Sequence, residues 1–394
     1  MDMSTLSNTH GLDGTLVQPD WAPLTLDEVS AVAARFPGIP EPQSILSVSP
    51  RPFSAASVVE TNSGRVFVKR HHRSVRDAQG LAEEHRFMAH LRLHGVPVPR
   101  VFETPDHATA VESGEWTYEV HEAPDGIDLY EDAISWTPFR SVEHSRSAGQ
   151  MLARLHNAAE SFSAPQRPPR PLVASFTIFA SQDASAELER YLAARPALAH
   201  DLPTRSDCVG AFDLLAPFHH ELILRLPSLR PLWTQNDLHA SNLFWSDDTA
   251  TAETTAVIDF GLADQTNAIH DLAHAIERNI VEWLVLMNDP AHPDDVPVHM
   301  DHLFALLDEY DSTRPLSADE AAALGPMTAL CHAEFALTEA DYFLRILHSK
   351  DKARIATRDY LVGHAQWFHS GGRPLLDALR VWAARREHRM AVPR

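Results

Sequence analysis

Three oxygen-bearing side chains interrupt apolar runs at two neighbouring points of the chain. Asp237 and Asn242 lie five residues apart in "NDLHASN" (236–242), and Asp259 follows in "IDFG" (258–261). Carboxylate and amide oxygens suit Mg²⁺ bound together with substrate phosphates. In phosphoryl transfer, an Asp accepts the proton of the attacking hydroxyl, while an Asn five positions later and the Asp of an Asp-Phe-Gly triplet hold metal. The spacing therefore predicts phosphoryl transfer, with Asp237 as base and Asn242 and Asp259 as metal ligands.

A lysine far upstream is predicted to contact the same phosphates. Lys69 alternates with two valines in the β-branched run "RVFVKR" (65–70), a placement that matches the β3 lysine of kinases. Glu84, in the helical pattern that follows, is the preferred ion partner of Lys69. Glu83 points about 100° away around the same helix, and the sequence does not exclude it. Either carboxylate would keep Lys69 charged and oriented.

The order of predicted elements divides the chain into a β-rich part and a helical part. A helix at 24–36 is followed by β-branched runs joined at "NSG" (62–64), an amphipathic helix that ends at Gly95, and a second strand pair. From about residue 140 the apolar spacing is helical almost throughout, apart from the strand pair "NLFWSD" and "TAVIDF". We therefore predict an α+β fold with a ligand cleft between two unequal lobes. The predicted divisions are an N-terminal helical extension at 1–40, a nucleotide-binding N-lobe at 41–122, and a catalytic and acceptor-binding C-lobe at 123–394.

Composition narrows the class of partner. The formal net charge of −21, from 33 Lys and Arg against 54 Asp and Glu, disfavours nucleic acid and anionic lipid and favours a cationic small molecule. Two cysteines, no secretion signal in the first thirty residues and no apolar run of roughly 18 residues predict a cytoplasmic protein without a membrane role. The 24 histidines are scattered without the close spacing of a metal site, so metal ligation by His is not expected.

Six elements occur in the order found in the aminoglycoside phosphotransferase and choline kinase-like family. They are Lys69, Glu84, "GQMLARLH" (149–156), "NDLHASN", "IDFG" and "HDLA" (270–273). The chain resembles this family over roughly residues 45–280. The resemblance implies a protein-kinase-like fold with a small antiparallel N-lobe sheet, one main N-lobe helix and a larger helical C-lobe. It also implies an ATP- and Mg²⁺-dependent transfer of phosphate to a small-molecule hydroxyl.

The resemblance assigns roles to individual residues. Asp237 would be the catalytic base, Asn242 and Asp259 the Mg²⁺ ligands, and Lys69 a phosphate contact. Asp271 would be a structural acid beneath the catalytic loop. Adenine would meet the backbone of the segment "YEVHEAPDG" (118–126), at Val120, His121 and Glu122.

Three features depart from the family pattern. Gln235 stands where the family often has His, two residues before the catalytic Asp; it can brace the backbone but cannot titrate. The phosphate-covering loop, "SPRPFSAASV" (49–58), has no Gly, so Ser54 and Ser57 are the predicted hydroxyl donors. No "APE" follows "IDFG", and a helix is expected almost at once, which argues against a protein substrate bound along an extended segment.

The acceptor site is predicted from one helical pattern. In "CHAEFALTEADYFLRILH" (331–348), Glu334, Thr338 and Asp341 share a face, with Glu339 and Tyr342 close by. A solvated acidic stripe is the plainer interpretation. The alternative is a pocket wall that binds an amine-bearing acceptor, to which Asp264 and Asp271 would add acidity.

The identity of the acceptor and the oligomeric state stay open at this point. An aminoglycoside-like antibiotic, an amino alcohol, a sugar or a homoserine-like metabolite are all compatible with the pattern, since one fold serves many substrates. Two other classes of function also remain. One is a protein Ser/Thr kinase of the compact stress-response type, and the other is a non-catalytic nucleotide-binding pseudokinase.

Overall fold

The computed structural model of the chain describes residues 19–201 and 205–391. The first 18 residues of the predicted N-terminal extension therefore lie outside the described residues. Helix α1 (Leu26–Ala33) begins at a capping box, in which Thr25 and Glu28 each bond the other's backbone N–H. It packs beside a separate apolar core under the N-lobe sheet.

The N-lobe is a five-stranded antiparallel sheet with one long helix. The strands are β1 (Pro42–Val48), β2 (Ala55–Thr61), β3 (Gly64–His72), β4 (Val111–Ser113) and β5 (Trp116–Glu122), in the order β1-β2-β3-β5-β4. The predicted hairpin at "NSG" is confirmed, because β2 and β3 pair antiparallel through a turn in which Gly64 has a φ of 137°. Helix α2 (Ala78–Leu93) follows β3, and its Phe87 packs against Trp233, which ties the helix to the C-lobe core.

The C-lobe is mainly helical and carries two short strand pairs. The pairs are β6 (Pro231–Thr234) with β9 (Asp264–Asn267), and β7 (Leu243–Trp245) with β8 (Thr254–Val257). The helices are α3 (Val142–Ala159), α4 (Ala184–Ala193), α5 (Pro196–Asp201), α6 (Arg205–Leu222), α7 (Ala268–Ile280), α8 (Trp283–Asn288), α9 (Met300–Thr313), α10 (Ala318–Leu330), α11 (His332–Arg345), α12 (Lys350–Arg354), α13 (Gly363–Trp367) and α14 (Arg373–Ala391). The predicted bilobal α+β, kinase-like fold is confirmed.

Two local predictions differ from the structure. The sequence after "IDFG" forms strand β9 before the helix begins, because Leu232 and Trp233 of β6 offer it a pairing partner. The helical pattern at 270–287 is also broken into α7 and α8. Val281 is extended there and bridges to Val298, so a β-branched residue ends the helix where a second strand is available.

Among the helices described, none combines the length and apolar character that a membrane crossing requires.

Candidate active site

The cleft between the lobes brings the predicted catalytic residues together. Lys69 from β3, and Asp237, Asn242 and Asp259 from the C-lobe, line one cavity. The Lys69 Nζ lies 2.9 Å from the Asp259 Oδ2, although the two residues are 190 positions apart. Residues from β3, the β6–β7 connection and the end of β8 therefore meet at one point.

The loop that carries Asp237 is held from below by Asp271 on α7. The Asp271 carboxylate accepts hydrogen bonds from the backbone N–H groups of Gln235 (3.0 Å) and Asn236 (2.9 Å), and His156 on α3 contacts it at 3.0 Å. Asn236 has a φ of 61°, a conformation that most residues avoid. The buried carboxylate of Asp271 thus fixes the bend that turns Asp237 into the cleft.

Gln235 links the catalytic loop to the strand that carries Asp259. Its side-chain amide donates to the carbonyls of Asp259 (2.8 Å) and Ile258 (3.2 Å), and its oxygen accepts from the Asp237 N–H (3.2 Å). A neutral amide can make these bonds without titrating. The residue therefore braces the backbone between Asp237 and Asp259.

Asp237 is a partly buried carboxylate whose proton affinity is set by burial and by opposing neighbours. Burial raises its pKa to about 7, although the guanidinium of Arg278, 2.7 Å away, acts in the opposite direction. Asn242 donates its amide N–H to the Asp237 carbonyl (2.9 Å) and Oδ2 (3.1 Å). A base with a pKa near the operating pH is suited to accept a proton from a hydroxyl.

Asp259 is ionised under all ordinary conditions. Burial alone would raise its pKa, but the charge and hydrogen bond of Lys69 lower it to about 2. Because the Asn242 nitrogen is turned to Asp237, its amide oxygen is the atom left to bind a metal. An amide oxygen and an ionised carboxylate in one cavity fit the hard-ligand preference of Mg²⁺.

The predicted ion pair between Lys69 and Glu84 is wrong. The Glu84 carboxylate is bound by Arg76 and Arg167, each at 2.7 Å, and Lys69 pairs with Asp259. The guanidinium groups of Arg76 and Arg167 are buried and need a negative partner, which Glu84 provides. Lys69 already has its negative partner in Asp259. Glu83, the residue left open beside Glu84, also faces Arg167, at 3.3 Å.

Of the two serines predicted to donate hydrogen bonds to phosphate, only one lies at the cleft. Ser54 lines the cavity, whereas Ser57 is buried within β2, away from it. The reason is that strand β2 begins at Ala55, so Ser57 already belongs to the sheet. Arg51, in the same loop, lines the cavity, and its charge interacts with those of Asp237 and Asp259. The sequence analysis missed Arg51, although it is the one basic residue of that loop.

Most of the backbone that was predicted to meet adenine is engaged in strand pairing. Within β5, the Val120 carbonyl accepts from the Phe102 N–H (2.8 Å), and the Glu122 N–H donates to the Arg100 carbonyl (2.9 Å). His121 pairs with Phe67 of β3. Strand pairing on both edges of β5 therefore engages the Val120 carbonyl, the Glu122 N–H and His121, and an adenine contact at the Glu122 carbonyl stays a prediction.

The acidic face predicted on α11 is not one surface of the cleft. Glu334 accepts four hydrogen bonds of 2.6 to 2.9 Å from the segment 175–178. Asp341 is buried away from the cavity, and the Tyr342 hydroxyl donates to Asp20 at 3.0 Å. These three residues are surrounded by other protein groups and do not line the cleft.

Of the predicted acceptor residues, Glu339 is the one that lines the cleft. Burial raises its pKa to about 8, against the opposing charge of Arg278. Asp264 instead lies at a smaller pocket, where it accepts from the backbone N–H groups of Arg167 (2.7 Å) and Gln265 (2.8 Å). Burial raises the pKa of Asp264 to about 7.

Arg278 is a cleft residue that the sequence analysis missed. It is 2% exposed, stacks 4.5 Å from the centre of the Phe335 ring, and pairs with Asp237. Its Nε and one terminal nitrogen have no hydrogen-bond partner among the described residues. A signal was available, because Arg278 follows Asp271 by seven residues and therefore faces the same side of α7.

The cleft is not the acidic mouth that the net charge suggested. Four cationic side chains and three carboxylates line it, namely Arg51, Lys69, Arg76 and Arg278 with Asp237, Asp259 and Glu339. Negative groups on the rest of the surface therefore say little about this cavity. Its charge pattern suits a ligand with several phosphates and an acceptor of mixed charge.

Solved structures of phosphotransferases share the fold. An aminoglycoside phosphotransferase from Alicyclobacillus acidocaldarius has a TM-score of 0.51 at 18% identity, covering 93% of this chain and 98% of that one. A microcompartment-associated aminopropanol kinase has a TM-score of 0.56 at 17% identity, covering 88% and 98%. An amicoumacin kinase in complex with AMP-PNP, Ca²⁺ and Ami has a TM-score of 0.51 at 14% identity, covering 85% and 96%.

No curated protein matches the sequence. A family model described as "Phosphotransferase enzyme family" matches residues 53–316, a span that contains Lys69, Asp237, Asn242 and Asp259. The chain belongs to the phosphotransferase enzyme family.

Proposed function

We propose that the protein transfers the γ-phosphoryl group of ATP to a hydroxyl of a small molecule in an Mg²⁺-dependent reaction. The observation that carries the proposal is the meeting of Lys69, Asp237, Asn242 and Asp259 in one cleft. The AMP-PNP complex of the similar amicoumacin kinase supports a nucleotide as the donor.

Each cleft residue has a chemical role in this proposal. Asp237 accepts the hydroxyl proton as the oxygen attacks the γ-phosphorus, and the bond to the β-phosphate oxygen breaks. Lys69 and Arg51 bind phosphate oxygens and stabilise the charge that spreads over them. Asn242 and Asp259 would hold Mg²⁺, which neutralises phosphate charge when it is bound.

The resting pair of Lys69 and Asp259 fits this scheme. Without nucleotide, each group neutralises the other at 2.9 Å in a partly buried position. With nucleotide, a phosphate offers Lys69 a new partner, and the metal offers one to Asp259. Both charges thus stay compensated in either state, which a buried ion requires.

Two observations favour an active enzyme with a small-molecule acceptor over a protein kinase or a pseudokinase. The extended segment after "IDFG" is strand β9, which is paired with β6 and runs directly into helix α7, so no unpaired extended stretch lies there to hold a protein substrate. Gln235 keeps the brace between the catalytic acids, so its departure from His does not by itself indicate a pseudokinase.

The cleft charges also bear on the acceptor class. Arg278 next to Asp237 disfavours a polycation at the reacting hydroxyl, whereas Glu339 can pair with a single amine. We therefore infer a compact acceptor that carries an amine, an anionic group, or both, close to its hydroxyl. The similar aminopropanol kinase supports a small amino alcohol as a starting point.

An ATP-consumption screen tests the proposal. A matched pair of acceptors is 3-amino-1-propanol and homoserine, which share an amine and a primary hydroxyl and differ by one carboxylate. Sugars and aminoglycosides extend the panel, and the phosphate is located on the product. Transfer of phosphate only to added protein would support the protein-kinase alternative. Nucleotide binding with no turnover across the panel would support the pseudokinase alternative.

Replacing Lys69 checks the nucleotide part separately. We expect Lys69→Ala to weaken ATP binding by about tenfold to a hundredfold, because one charge-assisted contact to phosphate contributes about 1.5–3 kcal/mol. Calorimetric titration with ATP and Mg²⁺ measures this. An unchanged ATP affinity would contradict the placement of the phosphates at β3.

A further inference from the structure

A cluster of three histidines around one glutamate lies between the N-lobe sheet and α2. His71 comes from β3, His85 from α2, and Glu119 and His121 from β5. The Glu119 Oε2 lies 2.6 Å from the His85 Nε2 and 2.9 Å from the His121 Nε2. The Oε1 of the same carboxylate lies 2.8 Å from the His71 Nε2. Four polar groups from three elements therefore converge in the interior of the N-lobe.

The ligand atoms are close enough to share one ion. The His85 Nε2, the His121 Nε2 and a Glu119 oxygen all lie within 4.8 Å of one another. Ligands of a tetrahedral ion with bonds of about 2.0–2.1 Å are separated by about 3.3 Å. The rings would need to retreat by only about half an ångström from their present hydrogen bonds to make room for an ion.

We propose that His85, Glu119 and His121 form a binding site for a divalent transition-metal ion of the Zn²⁺ class. Two imidazoles and one carboxylate are a ligand set that such ions accept, whereas Mg²⁺ prefers oxygen ligands alone. His71 holds the second oxygen of Glu119 and so orients the carboxylate without binding the ion. The proposal does not depend on the proposed function.

Metal binding requires one particular tautomer of the two ligand rings. A neutral imidazole that now donates from Nε2 must move this proton to Nδ1 so that the Nε2 lone pair can bind metal. The Nδ1 of His85 has no hydrogen-bond partner among the described residues, so the metal–nitrogen bond must also offset the cost of an unpaired Nδ1–H group there. No net proton is lost from a neutral ring in this shift, and the ionised Glu119 supplies the negative charge.

Burial and access are both compatible with a tightly held ion. His85 and Glu119 are each 3% exposed, while the His121 side chain is 13% exposed and offers the route of entry. The cationic neighbour is Lys69, which lies opposite Glu119 in the β3–β5 pairing. Its charge is already compensated by Asp259.

A bound ion would fix the position of α2 against the sheet. The ligands join α2 to β5, and through His71 to β3, the strand of Lys69. Glu84, which precedes His85 on α2, is bound to Arg76 and Arg167. It therefore does not join α2 to Lys69. The metal would thus strengthen the connection between α2 and β3 that His85, Glu119 and His71 already make by hydrogen bonds.

Zn²⁺ and Co²⁺ binding to the untagged full chain tests the site. Millimolar Mg²⁺ is present throughout to occupy sites made of oxygen ligands. We expect one equivalent of Zn²⁺ to be retained on dialysis, and Co²⁺ to give the visible absorption of a low-coordinate site. His85→Gln should weaken Zn²⁺ binding by about a hundredfold or more, and His71→Gln by about tenfold, since the latter only orients a ligand.

Two control variants separate this site from others. His292→Gln removes an exposed histidine paired with Asp289 and should leave Zn²⁺ binding unchanged. Asn242→Ala removes a predicted metal ligand of the cleft without touching the histidine cluster, and it should also leave Zn²⁺ binding unchanged. No saturable Zn²⁺ binding by the wild-type chain, or equal binding by His85→Gln, overturns the proposal. If His85→Gln does not fold, wild-type thermal unfolding decides, because Zn²⁺ must raise Tm in the presence of Mg²⁺.

Discussion

The catalytic loop and helix α11 both place carboxylates among buried apolar residues, but they direct them differently. The loop between β6 and β7 bends sharply at Asn236, and its Asp237, His239 and Asn242 line one cleft. Helix α11 is buried at every position from His332 to Leu344, so its acidic groups face different neighbours. A bent loop can direct several polar side chains to one point. A helix that is surrounded by protein directs its polar side chains to different neighbours.

The neighbours decide what each carboxylate can do. Glu334 is saturated by four donors of the segment 175–178 and has no capacity left for a ligand. Asp237 has one cation and one amide beside it and faces a cavity. The comparison therefore separates a buried carboxylate that holds the fold from one that is available for chemistry.

The largest expected effect follows from replacing Asp237. Asp237→Asn keeps the shape of the side chain but removes the base, so turnover should fall by about a thousandfold to ten-thousandfold. ATP affinity should change little, because the phosphates are bound by other residues. Steady-state turnover with the best acceptor and calorimetric ATP binding measure the two quantities. Full turnover with reduced ATP affinity would show that Asp237 binds nucleotide and is not the base.

The pH dependence of the same residue gives the next largest effect. Asp237 must be ionised to accept a proton, and burial raises its pKa to about 7. kcat/KM should therefore fall about tenfold per pH unit below about 7 and level off above it. Arg278→Met removes the cation that favours ionisation, so the acidic limb should move to higher pH. A flat wild-type profile between pH 5.5 and 7 would exclude a base of this pKa.

Glu334 provides the contrasting case on α11. Glu334→Gln turns an NH₂ group towards backbone and hydroxyl donors, so the free energy of unfolding should fall by about 1–3 kcal/mol. Turnover of the folded variant should be retained. Denaturant unfolding and steady-state kinetics are the measurements. A large loss of kcat with unchanged stability would place Glu334 in the acceptor site after all.

The sequence predicted those parts of the molecule that depend on local pattern. The hairpin at "NSG", the helix that ends before Gly95 and the strand pair beside Asn242 follow from turn residues and apolar spacing. The contact between Lys69 and Asp259 was predicted because the sequence motifs that contain them occur in the order found in the family. The hairpin, the helix end and the strand pair need few contacts between distant parts of the chain, whereas the Lys69–Asp259 contact was predicted from that motif order.

The partners of buried charges could not be predicted in this way. Glu84 binds Arg167, which is 83 positions away in a Pro-rich connection, and Glu119 gathers histidines from three elements. Such pairs depend on how α2 packs against the sheet. The spacing of residues along the chain does not predict that packing. Helical periodicity likewise placed Glu334 and Asp341 on a common face, but it could not show what that face packs against.

Gln235 gives the smallest expected effect and tests the bracing of the loop. Gln235→Ala removes three hydrogen bonds that join Asp237 to the strand of Asp259, and kcat/KM should fall by about tenfold to a hundredfold. Gln235→His can retain one or two of them, so the loss should be about fivefold or less. The ratio of the two variants, measured at one pH above 7, isolates the brace from titration. Equal activity of Gln235→Ala and wild type would mean that Asp271 alone holds the bend at Asn236.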